Sequence, residues 1–138
     1  MLFFLSCEKY EPYCPEEVTI CEENQTTIYN LAFPSNFPTP NSPSFNPLTE
    51  EGVNLGRHLF YDPILSSDNT VSCASCHKQE YAFSDNKEFS FGVNGAVGER
   101  HAPTIINSVF STDFDWDGKS NSLEDQAIRP IFNELELH

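Results

Sequence analysis

The apolar positions of the chain predict short helices. Thr49 can cap a helix whose first turn holds two glutamates, where negative charge is favoured by the helix dipole. Leu55 and Leu59 follow at i, i+4 spacing and so share one face of this helix. The Asp-Pro pair at positions 62–63 is expected to end it, because the residue before a proline disfavours helical geometry.

Three later segments also have helical patterns, and none alternates well enough to predict a strand. They are a short helix from Cys73 to about Gln79, an apolar turn opened by Pro103 (PTIINSVF), and a helix capped by Ser122 that runs through Leu123, Gln126 and Ala127, with Pro130 just beyond. Between them lies the glycine-rich loop FGVNGAVGER. The sequence therefore predicts a small all-α domain with long loops, over residues 48–138.

The residues before this domain have a different composition. Residues 8–47 are first acidic and then proline-rich, which predicts an extended tether rather than helices or central strands. Residues 1–7, MLFFLSC, resemble the end of a bacterial lipoprotein signal, in which Cys7 would carry the lipid. Most of such a signal is missing here, so we expect the gene to begin upstream. An ordinary apolar N-terminus remains the alternative.

Charge and cysteine usage narrow the functional classes. The chain has 21 acidic and 7 basic residues, a net charge of −14, which argues against nucleic-acid binding. No apolar run approaches the roughly 18–20 residues needed to span a bilayer. Cys14 and Cys21 could form a disulfide in an oxidising compartment, or they could be two free thiols.

The stretch VSCASCH at positions 71–77 carries the clearest chemistry. A zinc site would need a second ligand pair, and no cysteine follows Cys76. A redox dithiol would normally accompany a βαβ pattern, which is absent. Covalent haem c needs two thiols at this spacing and a histidine directly after them. We therefore predict that Cys73 and Cys76 attach one haem c and that His77 is the axial ligand of its iron.

The ligand on the opposite face of the iron is the next question. The only methionine is Met1, which excludes a His/Met electron carrier for the chain as printed. The remaining options are His58, His101, His138 or an open coordination position. An open position is the reading we favour, with His101 the best of the three histidines. An open face implies ligand chemistry rather than electron transfer alone.

Three longer segments support a resemblance. They resemble the N-terminal haem domain of bacterial dihaem cytochrome c peroxidases and their MauG-type relatives. The segments are LGRHLFYDPILSSDNTVSCASCHKQEYAFSD, GERHAPTIINSVF and FDWDGKSNSLEDQAIRPIFN. The resemblance implies a cytochrome c-like helical haem domain. It implies that Trp116 relays electrons between two haems, that Gln126 lies beside the reactive haem face, and that Glu136, rather than Glu134, is the catalytic glutamate.

The chain departs from the family pattern at several positions. Val93, in the loop SFGV, stands where many members have a histidine that caps the resting iron, which agrees with an open face. His101 stands where an asparagine usually helps to hold calcium, so calcium binding is possible but doubtful. Only one CxxCH is present, and the chain ends at His138. We therefore expect the chain to be truncated and a second haem to belong to a missing C-terminal domain.

These observations lead to one functional expectation and two alternatives. We expect a haem c peroxidase domain that reduces hydrogen peroxide to water with electrons from a small donor such as a cytochrome c. A MauG-type enzyme that oxidises a protein substrate, or a non-enzymatic electron-transfer cytochrome c with His101 on iron, would also fit. The expected location is the periplasm or cell envelope of a Gram-negative bacterium, with lipid anchoring through Cys7. A homodimer is compatible with the sequence.

Overall fold

The computed structural model describes residues 26–40, 42–115 and 117–138. Within these ranges short helices alternate with long loops, and β-pairing is limited to isolated bridges. The α-helices are α1 (Glu50–Tyr61), α2 (Cys73–Cys76) and α3 (Leu123–Ile128). The 3₁₀ turns are Pro63–Leu65, Gln79–Tyr81, Val93–Gly95, Ser108–Phe110 and Arg129–Phe132. This architecture is consistent with the helical cytochrome c-like fold that the resemblance implies. None of the helices in the described ranges is long and apolar enough to cross a membrane.

Helix α1 begins and ends where the sequence predicts. The Thr49 hydroxyl accepts a hydrogen bond from the Gly52 N–H at 3.0 Å, which satisfies one of the donors left open at the helix start. Asp62 is extended and ends the helix, and its carboxylate accepts from the Ile64 N–H at 2.9 Å to start the next turn. The apolar face is only partly covered, because Leu59 is half-buried while Leu55 is 60% exposed.

Helix α2 is shorter than the pattern predicts. We expected it to continue to about Gln79, but it ends at Cys76 because His77 adopts φ −90° and ψ 75°, outside the helical region. A separate 3₁₀ turn follows, and Ala82 and Phe83 then both have positive φ. The backbone reverses at these two residues, which brings the Phe83 carbonyl back towards His77.

The two later helical predictions have different outcomes. The turn expected to open at Pro103 is wrong, since the helical residues begin only at Ser108, after Asn107 in the left-handed region (φ 61°). The prediction for α3 is confirmed: the Ser122 hydroxyl accepts from the Asp125 N–H at 3.1 Å. Pro130 lies at the start of the 3₁₀ turn that follows α3. At this position the N–H that proline lacks would have no partner within the turn, so the helical path continues.

The apolar core of the described residues is small and lies where distant segments meet. Val93, Ala102 and Leu137 are its buried hydrophobic side chains, with 2%, 7% and 4% of their surface exposed. The C-terminal segment is held there by backbone bonds, one from the Ser67 N–H to the Leu137 carbonyl at 2.8 Å. The chain end is therefore fixed against the loops around the cysteine motif.

Residues 26–47 contact the domain that follows them. Ile28 forms an isolated antiparallel bridge with Thr49, and the Thr27 N–H donates to the Glu51 carboxylate at 3.1 Å. Further along, the Phe37 ring meets the Phe110 ring edge-on, with 5.1 Å between centroids. The part of the predicted tether that the structure describes thus lies along the domain, and the tether as a whole stays a prediction because residues 1–25 lie outside the described ranges.

Candidate haem site

Helix α2 carries both thiols of the predicted attachment motif. Cys73 and Cys76 are half-buried free cysteines, and the Cys76 Sγ lies 3.8 Å from the Phe91 carbonyl oxygen. Burial raises the pKa of both thiols, and the nearby Glu136 carboxylate raises each further. A reactive redox dithiol needs a lowered pKa and electropositive surroundings. The local environment therefore favours neutral thiols and argues against redox chemistry at this pair.

The imidazole of His77 is oriented by the backbone. Its Nδ1 lies 3.0 Å from the Phe83 carbonyl oxygen. A carbonyl oxygen can only accept, so Nδ1 carries a proton, and in the neutral form of the ring the lone pair is then on Nε2. The turn that presents this carbonyl is closed by the Phe83 N–H, which donates to the Lys78 carbonyl at 2.8 Å. This arrangement is the one found around metal-ligating histidines, in which a partner on one ring nitrogen fixes the other.

The residues of the motif fit a covalently attached haem. Two half-buried thiols are placed one helical turn apart, and the next residue supplies an imidazole whose Nδ1 is held by a backbone carbonyl. Cys73 and Cys76 would hold the porphyrin and His77 would bind its iron. Among the described residues no group of three or more His, Cys, Asp and Glu side chains could hold a bare metal ion.

The backbone around Glu136 is held against the loop that follows the cysteine motif. The Val93 N–H donates to the Glu136 carbonyl at 2.8 Å, and Gly92 is buried beneath the same segment. A Cβ atom at Gly92 would stand only 2.2 Å from the Leu135 carbonyl oxygen and 2.5 Å from that of Glu136. Only glycine allows this approach, so Gly92 determines how closely the two segments meet.

The side chain of Glu136 lies in a shielded electrostatic environment. The residue as a whole is exposed, yet burial of its carboxyl group is the main cause that raises its pKa. The charge of Asp115 raises this pKa further, while the Asn133 amide, which donates to Oε1 at 2.7 Å, and His77 lower it. The carboxyl group also interacts electrostatically with His77 and with both thiols of the attachment motif.

Gln126 projects from α3 and contacts a residue to which the sequence analysis gave no role. Its Nε2 donates to Asp115 Oδ1 at 3.2 Å, while its Oε1 is buried without a hydrogen-bond partner in the described part of the chain. Asp115 Oδ2 accepts from the Ser120 hydroxyl at 3.2 Å. Sequence reasoning could have found Asp115 as a carboxylate directly before Trp116. It could not have found the Phe83 carbonyl, because a backbone atom is not indicated by residue type.

The remaining predicted residues are placed as follows. His58 is exposed in the last turn of α1, His101 is exposed next to the buried Ala102, and His138 is exposed at the chain end. Val93 is almost fully buried, at 2% exposure. Trp116 lies outside the described residues, as do the three cysteines predicted for a lipid and a disulfide, Cys7, Cys14 and Cys21.

Two thiols on one helical turn and an imidazole oriented by a backbone carbonyl form the arrangement expected of a c-type haem domain. The sequence profile of the family described as di-haem cytochrome c peroxidase matches residues 50–138. The chain belongs to this family, which implies haem c as its cofactor.

Individual relatives agree with this assignment. Cytochrome c peroxidase Ccp of Escherichia coli (strain K12) is 43% identical over 102 residues, which are 74% of this chain and 22% of that protein. The methylamine utilization protein MauG of Methylorubrum extorquens is 42% identical over 96 residues, 70% of this chain and 27% of that protein. A crystal structure of a MauG-like protein associated with microbial copper homeostasis superposes with a TM-score of 0.75 at 40% identity, covering 79% of this chain and 32% of that one. The chain spans about a quarter of the length of these two curated relatives.

Proposed function

We propose that the chain is the peroxidatic haem domain of a haem c peroxidase, which reduces hydrogen peroxide to water with electrons from a cytochrome c or a similar small protein. One observation carries the proposal. The segment Phe91–Val93 contacts the Cys76 thiol at one end and the Glu136 backbone at the other, so that an acid–base group lies beside a haem-attachment motif far from it in sequence. Relatives named cytochrome c peroxidase support this function.

The reaction consumes one peroxide, two electrons and two protons and releases two waters. Haem, when bound, supplies the iron at which the oxygen–oxygen bond is reduced. Glu136 takes a proton from the near oxygen of peroxide and returns it to the far oxygen, acting first as base and then as acid. The raised pKa of its carboxyl group suits this double role, because a pKa nearer to the working pH makes both protonation states accessible.

The other residues of the site support this proton transfer. The hydrogen bond from His77 Nδ1 to the Phe83 carbonyl makes the imidazole a stronger electron donor on its Nε2 side, which favours cleavage of the oxygen–oxygen bond. Gln126 orients peroxide by hydrogen bonding. Electrons arrive by way of Trp116 from a second haem outside this chain, a step that rests on the family resemblance.

A pair of glutamate variants tests the proposal. In the haem-loaded protein, Glu136→Gln should lower the rate of peroxide reduction by about 10²–10⁴-fold, the usual contribution of a positioned acid–base group. The rate is followed as oxidation of reduced cytochrome c. Glu134→Gln is the matched control, since Glu134 is exposed two residues away, and it should leave the rate unchanged. Equal rates for the two variants would remove Glu136 from the reaction.

Spectra of the ferric protein test the open iron position separately. We expect a high-spin absorption and EPR spectrum that changes on adding cyanide or peroxide. A low-spin spectrum that neither ligand alters would contradict the open position and would favour the electron-transfer cytochrome with His101 as ligand.

A MauG-type activity is the second candidate, and Val93 is compatible with it. Its side chain is buried and cannot ligate iron, and its N–H is already bonded to the Glu136 carbonyl. Slow oxidation of cytochrome c, together with peroxide consumption that depends on an added protein substrate, would support this candidate over the peroxidase. For either activity we propose export to the periplasm. Lipidation of Cys7, calcium binding and dimerisation remain predictions.

A further inference from the structure

A tight turn places Asp115 beside α3. The turn is closed by the bridge between Phe114 and Ser120, in which the Phe114 N–H donates to the Ser120 carbonyl at 3.1 Å. Asp115 itself has φ 63°, a left-handed conformation that aspartate tolerates better than most residues. The fully buried Ser120 donates its hydroxyl to one carboxylate oxygen, which leaves the other oxygen for Gln126.

The contact between Asp115 and Gln126 determines which end of the amide faces the site. A carboxylate can only accept hydrogen bonds, so the amide must turn its NH₂ group towards Asp115. The Oε1 atom then lies on the other side, where protein atoms enclose it and no described residue donates to it. An enclosed oxygen cannot reach a substrate. Whatever hydrogen bond Gln126 offers to a ligand must therefore come from Nε2, whose second hydrogen is not used by Asp115.

Asp115, which holds the nitrogen end of the amide, also interacts with the acid–base group. Asp115 acts electrostatically on Glu136, which in turn acts on His77 and both thiols. The carboxylate that holds the amide nitrogen is thus electrostatically coupled to the carboxyl group proposed to act on the ligand.

We propose that Asp115 is a positioning residue that holds Gln126 as a hydrogen-bond donor towards the ligand on the haem iron. Without Asp115 the amide could rotate by half a turn and present its oxygen, which would repel the lone pairs of peroxide. This inference deepens the proposed function and rests on its open iron position, but its test does not require peroxidase activity.

Fluoride is a suitable probe, because it binds open ferric haem, accepts hydrogen bonds and donates none. Two substitutions remove the charge of Asp115 and differ in what they keep. Asp115→Asn retains an oxygen that can accept from Gln126, whereas Asp115→Gly retains no acceptor, and both residues tolerate the left-handed backbone. Loss of charge alone should affect the fluoride affinity of both variants equally. Loss of the amide orientation should weaken binding only in the glycine variant.

We expect the fluoride Kd of Asp115→Gly, measured by absorbance titration of the haem-loaded protein, to be about tenfold higher than that of Asp115→Asn. Combined with Gln126→Leu, the two variants should agree within about twofold, because the group they position is gone. Equal affinities in the presence of Gln126 would overturn the proposal, as would a tenfold difference that persists in the leucine background.

Two further variants cover other outcomes. Ser120→Ala removes only the second contact of Asp115, so fluoride affinity should stay unchanged; weakening equal to that of Asp115→Gly would reassign Asp115 to holding the turn. If Asp115→Gly does not fold, Gln126→Leu alone is decisive, since it should weaken fluoride binding about tenfold and an unchanged Kd would overturn the proposal. If the unaltered protein binds no fluoride, both this proposal and the open iron position are overturned. If Glu136→Gln leaves the rate of peroxide reduction unchanged, the proposal for Asp115 still stands.

Discussion

The two sides of the haem site are built in different ways. The attachment side, formed by Cys73, Cys76, His77 and the Phe83 carbonyl, comes from one short stretch of chain. The acid–base side, formed by Asp115, Gln126 and Glu136, comes from separate segments that meet only through the fold. The proposed haem attachment therefore depends on short-range geometry, while the proposed reactivity depends on long-range contacts.

The attachment side should fail in an all-or-none way. With both Cys73 and Cys76 changed to serine, no thioether can form, because a hydroxyl does not replace a thiol in the addition to a vinyl group. Haem staining on a denaturing gel should detect no covalent haem in the double variant, while each single variant should keep one bond. Covalent haem in the double variant would mean that the attachment site lies elsewhere.

The acid–base side should respond to Gly92, although this residue carries no reactive group. Gly92→Ala would place a methyl group against the backbone carbonyls of Leu135 and Glu136, so the segments must separate. We expect a loss of about 1–3 kcal/mol in the free energy of unfolding and slower peroxide reduction with covalent haem retained.

Gly56→Ala in α1 is the control for Gly92→Ala, because no atom lies within 4 Å of the added Cβ. It should stabilise the protein by about 0.5–1 kcal/mol, the helix preference of alanine over glycine. Similar behaviour of the two alanine variants in denaturant unfolding would show that the loop does not support Glu136.

The pH dependence of turnover distinguishes the two sides, because only substitutions on the acid–base side should shift the pH profile. As a base Glu136 must be ionised, and its pKa is raised, so turnover should be lost as the pH falls through a value above that of an ordinary glutamate. Asn133→Ala removes a hydrogen bond that lowers this pKa and should shift the acid limb of the kcat/KM profile to higher pH. Asp115→Asn removes a charge that raises it and should shift the limb to lower pH.

Glu134→Gln should leave that limb in place, because the exposed Glu134 has no part in these contacts. An acid limb that does not respond to Asn133 or Asp115 would assign the titration to another group.

The smallest effects should come from the helix caps. Ser122→Ala and Thr49→Ala each remove a hydroxyl that accepts from a backbone N–H, and each should cost about 1 kcal/mol in stability. Only Ser122→Ala should also slow peroxide reduction, because α3 carries Gln126. Thermal midpoints and turnover measured side by side would test this, and an equal loss of turnover in both would attribute it to general destabilisation.

Local patterns were reliable where a single side chain decides the backbone. Thr49 and Ser122 cap α1 and α3 as predicted, because cap and helix are neighbours in sequence. The predicted α2 was too long, because the chain turns after His77. That turn contains two positive-φ residues that are not glycine, and the His77–Phe83 hydrogen bond belongs to it. The helical turn predicted at Pro103 was wrong because Asn107, left-handed like those two residues, delays it to Ser108.

The sequence alone was sufficient to predict a haem-attachment motif, because covalent attachment requires two thiols and a histidine at this spacing. It also pointed, through a family resemblance, to Gln126 and Glu136. Only the tertiary structure decided that Gly92 and Val93 pack against the backbone of Glu136 and that Gln126 is hydrogen-bonded to Asp115. Such contacts join segments tens of residues apart, and their geometry depends on how the whole chain packs rather than on any local pattern.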